Sequence, residues 1–136
     1  MPSLNGSRRI NISARNLWEF YNIHPTLKLV LADIINNWLT ATLFITSFNR
    51  TNEEDISMEA SGIHSSGPPW RAIDIRILDL DPDPIKCQQL ADTICEKVNK
   101  SWTYDPSRPT LLVAFCKPHG TGPHVHLQVC YSTIGK

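Results

Sequence analysis

The chain has 136 residues, 41% of them hydrophobic, which is enough for one globular domain with a single core. Its 13 Lys and Arg residues balance 13 Asp and Glu residues, so the formal net charge is zero. That balance argues against binding of nucleic acid or an acidic membrane through bulk charge, so a charged substrate would have to be held by individual residues.

The first 22 residues are predicted to form an irregular arm ahead of a folded domain that runs from 23 to 136. They contain charged and turn-forming residues with little periodicity. Arg8 and Arg9 are not followed by an apolar run, so we expect no signal peptide and a protein that is made in the cytoplasm.

A first helix is predicted from Pro25, a residue that suits the first turn of a helix. Apolar residues then follow at the spacing of one helix face, at Leu27, Val30, Leu31, Ile34, Ile35 and Trp38.

The longest apolar stretch of the chain lies in this predicted helix and is interrupted by charged residues. It is far shorter than the about 20 residues that span a bilayer, so no membrane insertion is expected.

Two predicted strands enclose a polar segment. Ala41 to Phe48 is rich in β-branched and aromatic residues, and Ala72 to Leu78 alternates apolar with charged residues. The segment between them is first acidic and then rich in Gly and Pro, which predicts a loop, and this loop contains His64.

The second half of the chain predicts one helix and two strands. Asp83 is a suitable N-cap with Pro84 at the first helical position. Strands are expected at 111–116 and 124–131, on either side of a Gly- and Pro-rich turn. The order helix, strand, strand, helix, strand, strand predicts a single α+β domain with a small antiparallel sheet packed against helices.

The four cysteines are expected to be reduced residues of the core. They lack the C-x-x-C spacing of metal and redox sites and fall within apolar patterns, with a disulfide as the alternative. They are Cys87, Cys95, Cys116 and Cys130.

Three histidines near the end of the chain indicate a site. Alternation in the last strand places His124, His126 and Gln128 on one face and apolar residues on the other. A single strand histidine is usually a surface or hydrogen-bonded residue. Two imidazoles on one face, after a turn that carries His119, favour a functional role.

Asp74 adds a carboxylate to this set. Burial of a carboxylate in an isoleucine-rich strand is costly unless it is paired or bound to a metal. Asp74 could instead face water or pair with Arg71 or Arg76. Together with His64 and His126 it makes a His, Asp, His set that suits zinc with a fourth position open for water, whereas Mg²⁺ and Ca²⁺ prefer more carboxylates.

Four stretches of the chain resemble, in this order, motifs of one zinc peptidase family. They are Ile45-Thr46-Ser47-Phe48-Asn49-Arg50, Ser61-Gly62-Ile63-His64-Ser65-Ser66-Gly67, Arg71-Ala72-Ile73-Asp74-Ile75 and His124-Val125-His126. The family comprises the D-Ala-D-Ala carboxypeptidases and L-Ala-D-Glu endopeptidases of the Hedgehog/DD-peptidase fold superfamily. The resemblance spans Thr42 to Val129.

The resemblance implies a metallopeptidase that hydrolyses a peptide bond of peptidoglycan stem peptides. A small protein of this kind is similar to phage endolysins, which are made in the cytoplasm and act on the cell wall. The zinc ligands that the resemblance implies are His64, Asp74 and His126. It implies further that His124 assists catalysis, that Arg50 receives a substrate carboxylate, and that Ser47 lies in the same substrate-binding stretch.

Two features depart from the family pattern. His64 and Asp74 are ten positions apart, which is longer than the usual spacing, and 67–70 looks like the place of the extra residues. Pro123 stands where many members have a catalytic glutamate, three residues before the last ligand. The base would then be His124 or His119.

Two other functions are compatible with the sequence. A non-catalytic structural or cell-wall-binding domain of the same fold, stabilised by zinc, would explain the missing glutamate. A metal-dependent nuclease also uses His and Asp clusters, but the zero net charge and the lack of a basic stripe argue against nucleic acid as a partner.

Overall fold

The computed structural model of the chain describes residues 10–12, 20–38, 43–47, 69–77, 81–117 and 124–136. The strands in this part are β1 (Ile10–Ile12), β2 (Leu43–Ser47), β3 (Ala72–Arg76), β4 (Trp102–Thr103), β5 (Ala114–Lys117), β6 (His124–Gln128) and β7 (Ile134–Gly135). The helices are α1 (Pro25–Asp33), which continues as the π-helical segment Ile34–Trp38, and α2 (Pro84–Ser101).

Five of the strands form one sheet in the order β1-β2-β3-β6-β5. Strands β2, β3, β6 and β5 pair antiparallel, whereas β1 lies parallel to β2 at the edge. Strands β4 and β7 form a separate antiparallel pair. This arrangement confirms the predicted α+β domain with a small, mainly antiparallel sheet packed against helices.

Both helices begin where the sequence predicts. His24 precedes α1 and accepts a hydrogen bond from the backbone N–H of Thr26, and Asp83 accepts one from Ile85 at the start of α2. A proline follows each cap, because a missing N–H costs nothing in the first turn. In the part of the chain that the structure describes, neither helix has the length and apolar composition needed to span a membrane.

The core lies between the helices and one face of the sheet. Ile73, Ile75, Val125 and Leu127 belong to the same hydrophobic cluster as the buried residues of both helices. Each fully buried side chain of this size stabilises the fold by about 1.5–3 kcal/mol relative to exposure. Since strand residues alternate between faces, the polar residues of β3 and β6 point to the other side of the sheet.

Several strand boundaries differ from the prediction. Strand β1 lies within the segment expected to be irregular, and β4 lies where no strand is predicted. Strand β5 begins at Ala114 rather than at residue 111, and β6 ends at Gln128. These boundaries depend on which strand is available as a partner, and that information is not local in the sequence.

Three of the four cysteines are buried, and Cys116 is partly exposed. The Sγ atoms of Cys95 and Cys116 lie 3.9 Å apart, which joins α2 to β5. Their hydrogen bond and the burial of Cys95 raise the pKa of the Cys95 thiol, and the same hydrogen bond lowers the pKa of Cys116.

Candidate metal centre

The candidate centre lies where β3 and β6 pair in the sheet. Their antiparallel register places Asp74 opposite His126 and Arg76 opposite His124. Directly opposed residues of antiparallel strands share a face and have their Cβ atoms about 4.5–5.5 Å apart. The pairing therefore brings the aspartate and both histidines together on the face away from the hydrophobic cluster.

Each carboxylate oxygen of Asp74 faces one histidine. His126 Nδ1 lies 3.1 Å from Oδ1, which is within hydrogen-bond distance. His124 Nε2 lies 3.7 Å from Oδ2, which is beyond it. Asp74 is therefore in close contact with His126 and stands beside His124.

The three side chains are buried to different degrees. His126 is 0% exposed, Asp74 2% and His124 8%. Burial of an ionised carboxylate costs several kcal/mol unless a cation or hydrogen-bond donors compensate it. The carboxylate of Asp74 therefore needs hydrogen-bond donors or a cation to compensate its burial, and His124 is the most exposed of the three residues.

The His126 ring is held by two further residues. Its Nε2 lies 3.1 Å from Gln128 Oε1, and the Gln128 amide nitrogen donates to the Leu112 carbonyl at 2.7 Å. The Phe115 ring packs against the imidazole with 4.8 Å between the ring centroids. The position of His126 is thus determined on several sides.

The two described donors fit zinc. Imidazole nitrogen and carboxylate oxygen are zinc ligands, and two such ligands at about 2.0–2.1 Å from a tetrahedral ion lie about 3.3 Å apart. The 3.1 Å between His126 Nδ1 and Asp74 Oδ1 is close to this separation. Within the described ranges, no group of three or more His, Cys, Asp and Glu side chains could hold a metal ion.

The structure brings together Asp74, His124 and His126 among the residues expected at the site. Ser47 lies opposite Asp74 in the pairing of β2 with β3, where the register shifts after Ile45. The remaining expected residues, which are His64, His119 and Arg50, lie outside the described residues.

Two residues of the centre had no predicted role. The alternation of the strand places Gln128 on the histidine face, and the pattern H-x-H-x-Q is the signal in the sequence that points to it. Phe115 is opposite His126 in the pairing of β5 with β6, and only the register of the two strands reveals this contact.

A further histidine, His24, has a structural role outside the candidate centre. It caps α1 through Nδ1, and its ring packs edge-on against Tyr131 at 5.1 Å. Burial, together with the positive charge of Arg71, lowers the pKa of His24. This histidine therefore stabilises a helix start in its neutral form.

Comparisons with protein-family models, with curated proteins and with solved structures give no match to this chain. Its function must therefore be inferred from the residues of the centre and from the motifs of the sequence.

Proposed function

We propose that the chain is a zinc metallopeptidase that hydrolyses a peptide bond in peptidoglycan stem peptides. The reaction would be of the D-Ala-D-Ala carboxypeptidase or L-Ala-D-Glu endopeptidase type. The observation that supports it best is the buried contact between Asp74 and His126, with His124 beside the same carboxylate. The substrate class rests on the resemblance of the sequence motifs.

In this proposal His64, Asp74 and His126 hold the metal ion. A zinc ion bound there supplies Lewis acidity towards the scissile carbonyl and a nucleophilic water near neutral pH. Asp74 contributes a negative charge, and the rigid pairing of β3 with β6 maintains the spacing between the two described ligands.

His124 is the proton-transfer residue of the proposed mechanism. Imidazole suits proton transfer near neutral pH, and His124 is the most exposed of the three described residues. Its Nε2 lies 3.7 Å from Asp74 Oδ2, so it stands beside a proposed ligand of the metal ion. His119 is the alternative base, and Arg50 and Ser47 would bind the substrate.

A second candidate is a non-catalytic domain in which zinc stabilises a structural or cell-wall-binding fold. The burial of Asp74 and His126 favours it, because structural zinc sites are closed whereas catalytic sites keep an open position. Pro123, in place of the family's glutamate, favours it as well.

Metal analysis of purified variants tests the zinc site. The wild type should contain about one zinc per chain, and Asp74→Ala and His126→Ala should each lose it. His24→Ala is the matched control, since it removes a histidine with a capping role, and it should retain zinc. Full zinc content in both site variants would disprove the ligand set.

Incubation of the zinc-loaded protein with purified peptidoglycan then separates the two candidates. Release of new amino or carboxyl termini that depends on His126 supports the peptidase. Zinc binding without any hydrolysis supports the non-catalytic domain. A wild type that binds no zinc contradicts both.

A further inference from the structure

We propose that Gln128 is a positioning residue of the metal centre, which holds the His126 ring with its hydrogen on Nε2 and so makes Nδ1 the ligand atom. The inference rests on the proposed zinc site. It assigns to Gln128 a role that depends on its oxygen rather than on its bulk.

The orientation of the Gln128 amide follows from its contact with Leu112. A backbone carbonyl oxygen can only accept hydrogen bonds, so the group 2.7 Å from it must be the amide nitrogen of Gln128. The reverse orientation would bring two acceptor oxygens together at a residue that is 0% exposed. The amide oxygen of Gln128 is therefore the atom that faces His126.

This orientation decides which nitrogen of His126 carries hydrogen. Nε2 lies 3.1 Å from the Gln128 oxygen, so Nε2 must be the donor. A neutral imidazole has only one N–H, which leaves a lone pair on Nδ1. That lone pair lies 3.1 Å from Asp74 Oδ1, and two acceptors at this distance repel each other unless a proton or a metal ion lies between them.

A bound metal ion satisfies all these contacts at once. His126 Nδ1 and Asp74 Oδ1 would bind the ion, while Nε2–H remains with Gln128. Histidines that bind metals usually donate their other N–H to an acceptor, and loss of that acceptor typically costs about 10–100-fold in metal affinity. Since Gln128 is fully buried, water cannot easily take its place.

Two substitutions of similar shape separate the acceptor role of Gln128 from its contact with Leu112. Gln128→Glu and Gln128→Met both remove the amide hydrogens that reach Leu112, but only glutamate keeps an oxygen for His126. Zinc titration in competition with a chelator should give a Kd within a few-fold of wild type for Gln128→Glu. For Gln128→Met the Kd should be about 10–100-fold weaker.

Gln89→Met is the matched control, because Gln89 is an exposed residue of α2 and the chemical change is the same. It should bind zinc as tightly as the wild type. Equal losses of zinc affinity in Gln128→Glu and Gln128→Met would show that Gln128 acts only through its contact with Leu112. This result would overturn the inference while leaving the zinc site intact. A wild type without zinc affinity would overturn the proposed function as well.

The hydrogen on His126 can also be located directly in the metal-free wild type. Long-range ¹H–¹⁵N NMR spectra distinguish a protonated from a bare ring nitrogen. We expect a protonated Nε2, and a bare Nε2 would overturn the inference. This measurement tests the position of the hydrogen on His126 even if the substitutions at Gln128 prevent folding.

Discussion

A buried carboxylate determines the chemistry of its surroundings, and Asp74 does so here. Its oxygens face His126 at 3.1 Å and His124 at 3.7 Å, while the side chain is 2% exposed. A neutral partner on each side would leave much of the desolvation cost uncompensated. A bound cation would compensate for this cost, and this is why Asp74 is proposed as a metal ligand.

At the same scale, His124 should affect turnover and not metal content. Its Nε2 is too far from Asp74 for a direct hydrogen bond, and it is more exposed than Asp74 and His126. His124→Ala should therefore keep its zinc while peptidoglycan hydrolysis falls by about 10²-fold or more, the usual effect of a lost general base. Zinc analysis and a turnover assay of one preparation test this.

The control for this assay is His24→Ala, which changes a histidine outside the centre and should leave turnover unchanged. If His124→Ala turns over as fast as the wild type, the proton-transfer role belongs to His119 or to no histidine. If His124→Ala loses zinc, His124 is itself a ligand.

At the scale of elements, local signals were sufficient for the helices. Asp83 followed by Pro84 marks the start of α2, and the caps, the proline and the apolar spacing all lie within a short stretch of sequence. The alternation in β3 and β6 likewise revealed which face each residue occupies. These properties depend on neighbours along the chain, so they could be predicted.

Properties that depend on distant partners could not be predicted. The register that places Asp74 opposite His126 depends on how far β3 slides along β6, and nothing in either strand alone defines it. The two-residue strand β4 exists only because β7 pairs with it, and the three-residue β1 depends on β2 in the same way. The contact of Phe115 with His126 has the same origin.

Strand β5 is at the edge of the sheet, and a side chain of α2 completes its hydrogen bonding. Asn99 donates through Nδ2 to the Ala114 carbonyl at 2.7 Å, and its Oδ1 accepts from the Ala114 N–H at 3.0 Å. The amide thus takes the place of a neighbouring strand. Edge strands with open backbone groups promote aggregation, so this contact protects the edge as well as joining helix to sheet.

Asn99→Leu should therefore destabilise the protein by about 1–3 kcal/mol, because it leaves two backbone groups of Ala114 without this partner. Urea unfolding followed by circular dichroism measures the change. Lys97→Ala, at an exposed position of α2, is the control and should have little effect. Equal stability of Asn99→Leu and wild type would mean that water satisfies the edge of β5.

At the scale of the whole molecule, the sheet separates two environments. One face packs its Ile, Val and Leu residues against both helices, and the other encloses Asp74, His126 and Gln128. Because the same two strands form both faces, a change that loosens the core would also alter the spacing of the proposed ligands. Stability and metal affinity are therefore expected to be linked in this protein.

The stability of the whole molecule should also depend on pH through His24. Burial and the charge of Arg71 lower the pKa of His24 in the folded protein from the ordinary value of 6.5. As the pH falls through about 6.5, the unfolded chain takes up a proton at His24 before the folded protein does. The unfolded state is then favoured, so this contribution to stability is complete above about 6.5 and is lost as the pH falls below it.

His24→Asn isolates this effect. Asparagine retains an acceptor for the Thr26 N–H, since it is among the best N-cap residues, but it does not titrate. Urea unfolding of metal-free protein between about pH 8 and pH 5 should show a smaller loss of unfolding free energy in His24→Asn than in the wild type. The other histidines titrate in both proteins, so the difference between the two curves reports His24 alone. Parallel curves would mean that His24 has the same proton affinity in the folded and unfolded states, and that its burial against Arg71 and Tyr131 has no energetic consequence in this range.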